Sequence, residues 1–327
     1  MPATTSRSSL SWTTVALGLT RSLPIVVFAL GCGAGEPVAT REALLSVNGT
    51  ELFVTRLGRG EPVVVVHGGP LLEHGYLLPH LSPLADHYEL ILYDQRLSGR
   101  SASTVDSASV RLATFVEDIE ALRAALGLGR IHLVGHSWGG LLALRYAIEH
   151  GDHLRSLVLL DAMAPSSELW QQEESEVRKR STPEDSADAA ALRATPAFAN
   201  REPAAVAEAL HISFRGQFAD RTKIDGLTLH VPADYRERSR QLGFMMPDLL
   251  AFDFTDELKA IRVPTLILYG DAEPSASIAG ATLRNGIPNA ELVIVPDAGH
   301  FPFIEQPGAT LAMMAAFLDR VSAPSSR

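Results

Sequence analysis

The chain has 327 residues, 46% of them hydrophobic and 20% charged, the balance of a globular protein with a sizeable core. The formal net charge is −10 and no Lys/Arg cluster stands out, which argues against a nucleic-acid partner. The single cysteine, Cys32, excludes an intrachain disulfide framework.

Residues 1–40 differ from the rest. The first 21 are rich in Ser and Thr, carry Arg7 and Arg21, and contain no acidic residue. Residues 23–30 are apolar, but the run is too short to span a bilayer as a stable helix. A basic leader, a short apolar core and the small-residue boundary Gly31-Cys32-Gly33 read as an export signal and linker. Ala29-Leu30-Gly31-Cys32 also resembles the lipobox of bacterial lipoproteins, whose cysteine is lipidated and becomes the mature N-terminus. Cys32 is thus the lipidation candidate, and the cell envelope the expected location. Any membrane contact would run through that anchor. Plain secretion and an uncleaved start are the alternatives.

Residues 44–47 and 52–57 flank Asn48-Gly49 and predict a β-hairpin. Residues 62–66 form a four-valine run, apolar on both faces as in the middle of a covered sheet, leading into His67-Gly68-Gly69-Pro70. The next strand is 90–93, followed by Asp94-Gln95-Arg96 and a loop through Gly99, Arg100 and Ser101. Residues 110–126 have helical spacing and stop at Gly127. A strand at 131–134 and a helix at 141–148 flank Gly135-His136-Ser137-Trp138-Gly139, and a strand at 157–160 closes on Asp161. Strands alternating with helices predict an α/β fold with a mainly parallel, doubly wound sheet.

The alternation stops between 164 and 261. Residues 168–180 are highly charged, 184–193 are rich in Ala and Asp, and 204–210 and 235–244 read as helices. The stretch predicts a helical cap, or lid, inserted after the strand ending at Asp161. Residues 265–269 restore the sheet, followed by a helix at 275–285, a strand at 292–295 and a closing helix at 307–321. The sheet-bearing core thus divides into 41–163 and 262–321.

A G-x-S-x-G pattern at 135–139, with a strand before and a helix after, predicts a nucleophile turn. A serine standing proud of a sheet needs a tight, strained turn, and glycines two residues either side leave room where a Cβ would collide. The helix after Ser137 aims free N–H groups at the same point. A serine hydroxyl also needs a base, and the base needs a carboxylate. Among the 11 histidines, His300 follows the last strand and is the base candidate. The acid lies in Gly270-Asp271-Ala272-Glu273-Pro274, where Glu273 is favoured because it sits far enough round the turn to point back. Asp271, more simply a turn residue, and Asp161, at the end of an earlier strand, stay open as alternatives.

The oxyanion of a tetrahedral intermediate needs two N–H donors, for which Trp138 and Gly69 are the candidates. His67 and Gly68 shape the second loop and Pro70 fixes it, a cis Gly69–Pro70 bond being one way to do so. His67 is read as a brace. His67, His74 and His80 lack the spacing of a metal site, and the glycines form no nucleotide fingerprint, so neither a metal nor a cofactor is expected.

Together, Val66-His67-Gly68-Gly69-Pro70, Tyr93-Asp94-Gln95-Arg96…Gly99-Arg100-Ser101, Gly135-His136-Ser137-Trp138-Gly139-Gly140 and Gly299-His300-Phe301-Pro302…Glu305-Gln306-Pro307 resemble an α/β-hydrolase. Within that fold they are similar to the proline iminopeptidase-like branch of serine peptidases. The resemblance implies an acyl-enzyme mechanism on short peptides or amides with a free N-terminal residue. A carboxylesterase acting on small esters is the rival, and a non-catalytic binding member of the fold is a third reading. The chain departs from the branch at Leu71 and Leu97, where Gly is usual, and at Glu273, where Asp is commoner. Leu71 and Leu97 are expected near the oxyanion side, where they would reshape the pocket entrance. The cap lacks the Trp-x-x-Trp-Glu-like segment of the branch. Such enzymes hold the substrate amine with cap carboxylates, and Glu168, Glu173, Glu174, Glu208 and Glu237 are available without one standing out.

Overall fold

The computed structural model describes residues 40–323. The leader and Cys32 lie outside the described residues. Asn48 and Gly49 both adopt positive φ, 45° and 72°, as a two-residue hairpin turn demands. They join β1 (Arg41–Val47) to β2 (Thr50–Gly58). The remaining strands are β3 (Glu61–Val66), β4 (Tyr88–Tyr93), β5 (Ile131–His136), β6 (Leu154–Leu160), β7 (Thr265–Gly270) and β8 (Ala290–Val295). Their order across the sheet is β1-β2-β4-β3-β5-β6-β7-β8. Only the β1/β2 and β2/β4 pairs are antiparallel. The expected strands all form, and several run past their apolar stretch because the backbone ladder continues through polar ends such as Arg41 and Glu61.

Alternation along the strands divides the core in two. Val64, Val66, Leu133, Leu157, Leu159 and Ile267 join one buried cluster, while Val63, Val65, Val134, Val158, Leu266 and Leu268 join the other. The first cluster packs under α1 (Leu112–Ala125) and α2 (Trp138–Glu149), through residues such as Phe115, Ile119, Leu141 and Leu144. Between β6 and β7 come α3 (Ser167–Lys179), α4 (Pro183–Arg193), α5 (Pro203–Phe214) and α6 (Tyr235–Leu242). The only strand-like contact there, among the described residues, is the bridge between Ser166 and Asp253. The helix expected over 275–285 forms as two short pieces, a five-residue helical segment at Pro274–Ile278 and α7 (Gly280–Gly286), interrupted at Ala279. Gly280 follows the break, where its low helix propensity weakens a continuous turn. Finally α8 (Pro307–Ser322) covers the second cluster with Met314, Phe317 and Leu318.

The chain steps from β3 outward to β4, then crosses back to place β5 on the other side of β3. Such a reversal opens a crevice beyond the carboxyl ends of the two strands, where ligands bind in open α/β sheets. His67 to Gly69 leave β3 at that crevice and Ser137 leaves β5.

Leu71 and Leu97 are not at the pocket entrance. Both side chains are buried in the first cluster, at 3% and 0% exposure, and neither lines the cavities beside Ser137. Both have positive φ, 75° and 64°, the left-handed region that favours glycine. Each position thus trades backbone strain of about 1–2 kcal/mol against a buried leucine side chain. Leu97→Gly should lower stability: loss of the buried side chain costs roughly 3 kcal/mol, and relief of strain returns about 1–2. The expected net loss of about 1–2 kcal/mol would be read as a lower urea midpoint at unchanged slope. A raised midpoint would mean the strain dominates.

Candidate active site

Ser137 occupies the turn between β5 and α2 with φ 54° and ψ −122°, a conformation that costs a non-glycine residue roughly 1–3 kcal/mol. The neighbouring glycines show why the turn closes. A Cβ on Gly139 would meet the carbonyl oxygens of Val66 and His67, and one on Gly135 would meet the Gly139 carbonyl and Ala143. Gly140 packs equally close against Ala162. The Ser137 N–H donates to the Leu160 carbonyl at 3.1 Å, and its carbonyl accepts from Met163 N at 3.0 Å, so β6 holds the strained turn from one side.

The structure brings Ser137, His300 and Glu273 into one hydrogen-bonded line. His300 Nε2 lies 2.9 Å from Ser137 Oγ, and His300 Nδ1 lies 3.1 Å from Glu273 Oε2. Two glycines allow the loops to meet. A Cβ on Gly270 would strike the Ala298 and Gly299 carbonyls, and one on Gly299 would strike the Gln217 carbonyl of the helical insertion. His300 N donates to that same Gln217 oxygen at 2.8 Å, and Gly299 N donates to buried Glu305 at 2.6 Å. Burial pushes the Glu273 carboxyl up, but the charge of His300 and hydrogen bonds from His300 and Ser275 outweigh it and hold the group below the ordinary glutamate value.

The other two acid candidates differ. Asp271 is exposed and accepts from Ala298 N at 3.3 Å. Asp161 is fully buried at φ 42° and accepts from Gly270 N at 3.0 Å, while its other oxygen has no partner among the described residues. Its oxygen, a Glu273 oxygen and a His300 nitrogen all lie within 4.8 Å of one another. Burial first, and the neighbouring Glu273 charge second, push Asp161 well above the ordinary aspartate value.

Facing the serine, Gly69 has φ 60° and Pro70 follows in trans, since no cis peptide bond occurs among the described residues. The cis Gly69–Pro70 bond is therefore not how this loop turns; the left-handed glycine does it. The N–H groups of Gly69 and Trp138 donate to no acceptor among the described residues. His67 spends both ring nitrogens on the loop: Nδ1 donates to the Gly68 carbonyl at 2.8 Å, and Nε2 accepts from Gln95 N at 3.1 Å. Burial holds its pKa down to about 4, so it is neutral. His74 is tied to Asp94 at 2.6 Å and His80 packs on Phe303, so the three histidines close in sequence serve separate contacts.

Three features were not singled out by the sequence. Gly68 N donates to the Tyr76 hydroxyl at 2.7 Å; that hydroxyl donates to His136 Nδ1 at 2.6 Å, and His136 Nε2 donates to the His300 carbonyl at 3.0 Å. This relay ties the loop after β3 to the loop bearing the imidazole. Gly68, Gly69, Leu72, Tyr76, Phe214, Leu227 and Phe301 wall a mainly apolar cavity of about 60 Å³ against Ser137. A second cavity of about 130 Å³ also reaches Ser137 and His300 and is lined by Trp170, Glu173, Glu174, Gln217 and Glu273. Of the five cap glutamates, Glu173 alone is buried; its Oε2 accepts from Ala164 N at 3.2 Å, and its Oε1 has no partner among the described residues. Burial pushes its pKa up to about 8. Spacing offered no way to find it, because its charged neighbours in the helix face solvent.

A mostly parallel sheet with a serine turn at its topological switch defines an α/β enzyme whose chemistry sits beyond the strand ends. The chain belongs to the alpha/beta hydrolase fold family, whose profile matches residues 61–307, and it is a hydrolase. It is 28% identical over 272 residues to a proline iminopeptidase of Levilactobacillus brevis, covering 79% of this chain and 88% of that one. It is 29% identical over 272 residues to a proline iminopeptidase of Clostridium botulinum, covering 80% and 91%. Among solved structures, a thermophilic esterase from Thermogutta terrifontis superposes with a TM-score of 0.62 at 26% identity, covering 86% of this chain and 99% of that one.

The upward shift at Asp161 has a consequence for stability. Its folded pKa is raised, so between the ordinary carboxyl value of about 3.9 and that raised value the folded chain binds a proton that the unfolded chain releases. This site therefore loses stability as pH rises above about 4. Asp161→Asn should remove that loss, raising Tm at pH 7 by more than it does at pH 4. An equal shift at both pH values would rule out the raised pKa.

Proposed function

We propose that the chain is a serine hydrolase working through an acyl-enzyme, and most specifically an aminopeptidase of the proline iminopeptidase kind. The observation that carries the first part is the hydrogen-bonded line from Ser137 Oγ through His300 to Glu273. In this reading Ser137 Oγ attacks the acyl carbon while His300 Nε2 takes its proton, and ionised Glu273 orients and stabilises the imidazolium. The backbone N–H groups of Gly69 and Trp138 hold the oxyanion. The imidazolium then protonates the leaving group. Water, deprotonated by the same imidazole, releases the acid and restores the serine.

The second part rests on the two cavities that Ser137 lines. The 60 Å³ apolar cavity suits a small ring or short acyl chain, and the second cavity is lined by Glu173. Glu173 is neutral at pH 7 in the empty site, since burial holds its pKa near 8. An incoming ammonium would offset the burial cost and draw the carboxyl into its charged form. Similarity to the two bacterial proline iminopeptidases supports this choice. The esterase reading stays as the second, because the apolar cavity would accept a small acyl group equally well and the Thermogutta esterase shares the fold.

Fluorophosphonate labelling should modify the wild-type protein and fail with Ser137→Ala. Glu273→Ala should cut kcat by orders of magnitude, on the pattern of other triad acids, while Asp271→Ala should leave it within a few-fold. The reverse ranking would move the acid role to Asp271.

Substrate class is tested by comparing prolyl-arylamide with its N-acylated form. For an aminopeptidase, blocking the amine should remove turnover, and Glu173→Gln should raise KM about 10–100-fold for the free amine while sparing small acyl esters. Turnover indifferent to amine blocking would favour the esterase.

A further inference from the structure

Gln95 is 1% exposed, follows β4 and Asp94, and lines neither cavity at Ser137. Three hydrogen bonds define its place. Its backbone N–H donates to His67 Nε2 at 3.1 Å, its side-chain Nε2 donates to the His67 carbonyl at 2.6 Å, and its Oε1 accepts from the Trp138 indole N–H at 2.8 Å. The directions are unambiguous. A carbonyl accepts and an indole N–H donates, which fixes the amide orientation. His67 Nδ1 already donates to the Gly68 carbonyl, leaving Nε2 as the acceptor.

The bridge spans two separate pieces of chain. His67 leaves β3 two residues before Gly69, and Trp138 opens the helix after β5. Each piece carries one of the proposed oxyanion donors, and Gln95 is hydrogen-bonded to both. Its neighbours are otherwise occupied. Asp94 accepts from His74 and Arg100, and Arg96 pairs with Asp118. We infer that Gln95 is a positioning residue that holds the Gly69 and Trp138 N–H groups at a fixed separation before the oxyanion forms; this rests on the reading of Ser137 as nucleophile. Such donors stabilise charge that develops only in the transition state, so their value lies in being held ready. An apolar replacement would leave the His67 carbonyl and the Trp138 indole N–H buried without partners, and both would shift to find new ones.

The test measures Ser137 phosphonylation by a fluorophosphonate alongside steady-state turnover of an acyl ester. Gln95→Met should lower kcat and the phosphonylation rate by about 10–100-fold together, with KM nearly unchanged, as expected for a displacement of order 1 Å. Trp138→Phe keeps the backbone donor and removes the indole N–H; its loss and that of Gln95→Met should be non-additive. Gln95→Glu supplies a signature that general destabilisation would not produce. A protonated carboxyl can donate to the His67 carbonyl and accept from Trp138, whereas a carboxylate can only accept. That variant should lose activity relative to wild type as pH rises, because its carboxylate form cannot donate to the His67 carbonyl. If Gln95→Met does not fold, Trp138→Phe and Gln95→Glu decide the matter. Phosphonylation of Gln95→Met within two-fold of wild type, or a Gln95→Glu profile parallel to wild type, overturns the clamp alone. Wild-type protein that resists labelling at Ser137 overturns the site reading and the clamp with it.

Discussion

The turn at Ser137 is the constraint on which the rest of the structure depends. A serine at φ 54° stands out from the sheet only because Gly135, Gly139 and Gly140 let strand, helix and the end of β6 close around it. Packing opposes the strain: β5 lies between β3 and β6, buried on both faces, so relaxing the turn would disturb the middle of the sheet. Strain of this kind persists where the surroundings over-determine it. Here those surroundings also set the direction in which Oγ emerges.

Around that turn, buried polar groups are arranged in layers. One layer ties His300 to Ser137 and Glu273. A second, through Tyr76 and His136, ties the loop after β3 to the His300 backbone. A third, through Gln95, links that loop to Trp138. In low-dielectric surroundings, satisfied networks of this kind rigidify strongly, and a half-satisfied one is costly. The unpartnered oxygens of Asp161 and Glu173 are the exceptions near the serine, and burial raises the pKa of both groups. Asp161 belongs to the scaffold beneath Glu273. Glu173 faces a cavity, which is why it carries a ligand argument and Asp161 a stability argument.

The helical insertion is part of the site rather than an appendage. Its Gln217 carbonyl holds His300 N, its Phe214 packs edge-on against Phe301 at 5.4 Å, and its Leu227 closes the apolar cavity. Nothing in the amphipathic pattern of these helices distinguishes a residue that lines a cavity from one that pads a neighbouring helix.

What the sequence determined by itself is the set of features encoded locally. Four valines in a row, Asn-Gly between apolar runs, and glycines at fixed distance from a serine each have one low-energy backbone solution, so eight strands and the serine turn could be read directly. Ser137, Glu273 and His300 could be named as candidates because each sits a few residues beyond a strand end, and parallel strand ends lie on one edge of the sheet. Only the tertiary structure could show that Glu273, and neither Asp161 nor Asp271, is hydrogen-bonded to His300, since that depends on which carboxylate the β7 turn swings towards the imidazole. It also decided that Leu71 and Leu97 fill the core at positive φ instead of flanking the entrance, and that Glu173 alone among the cap glutamates is buried. Burial and convergence are sums over contacts from distant segments, and no short stretch of chain contains them.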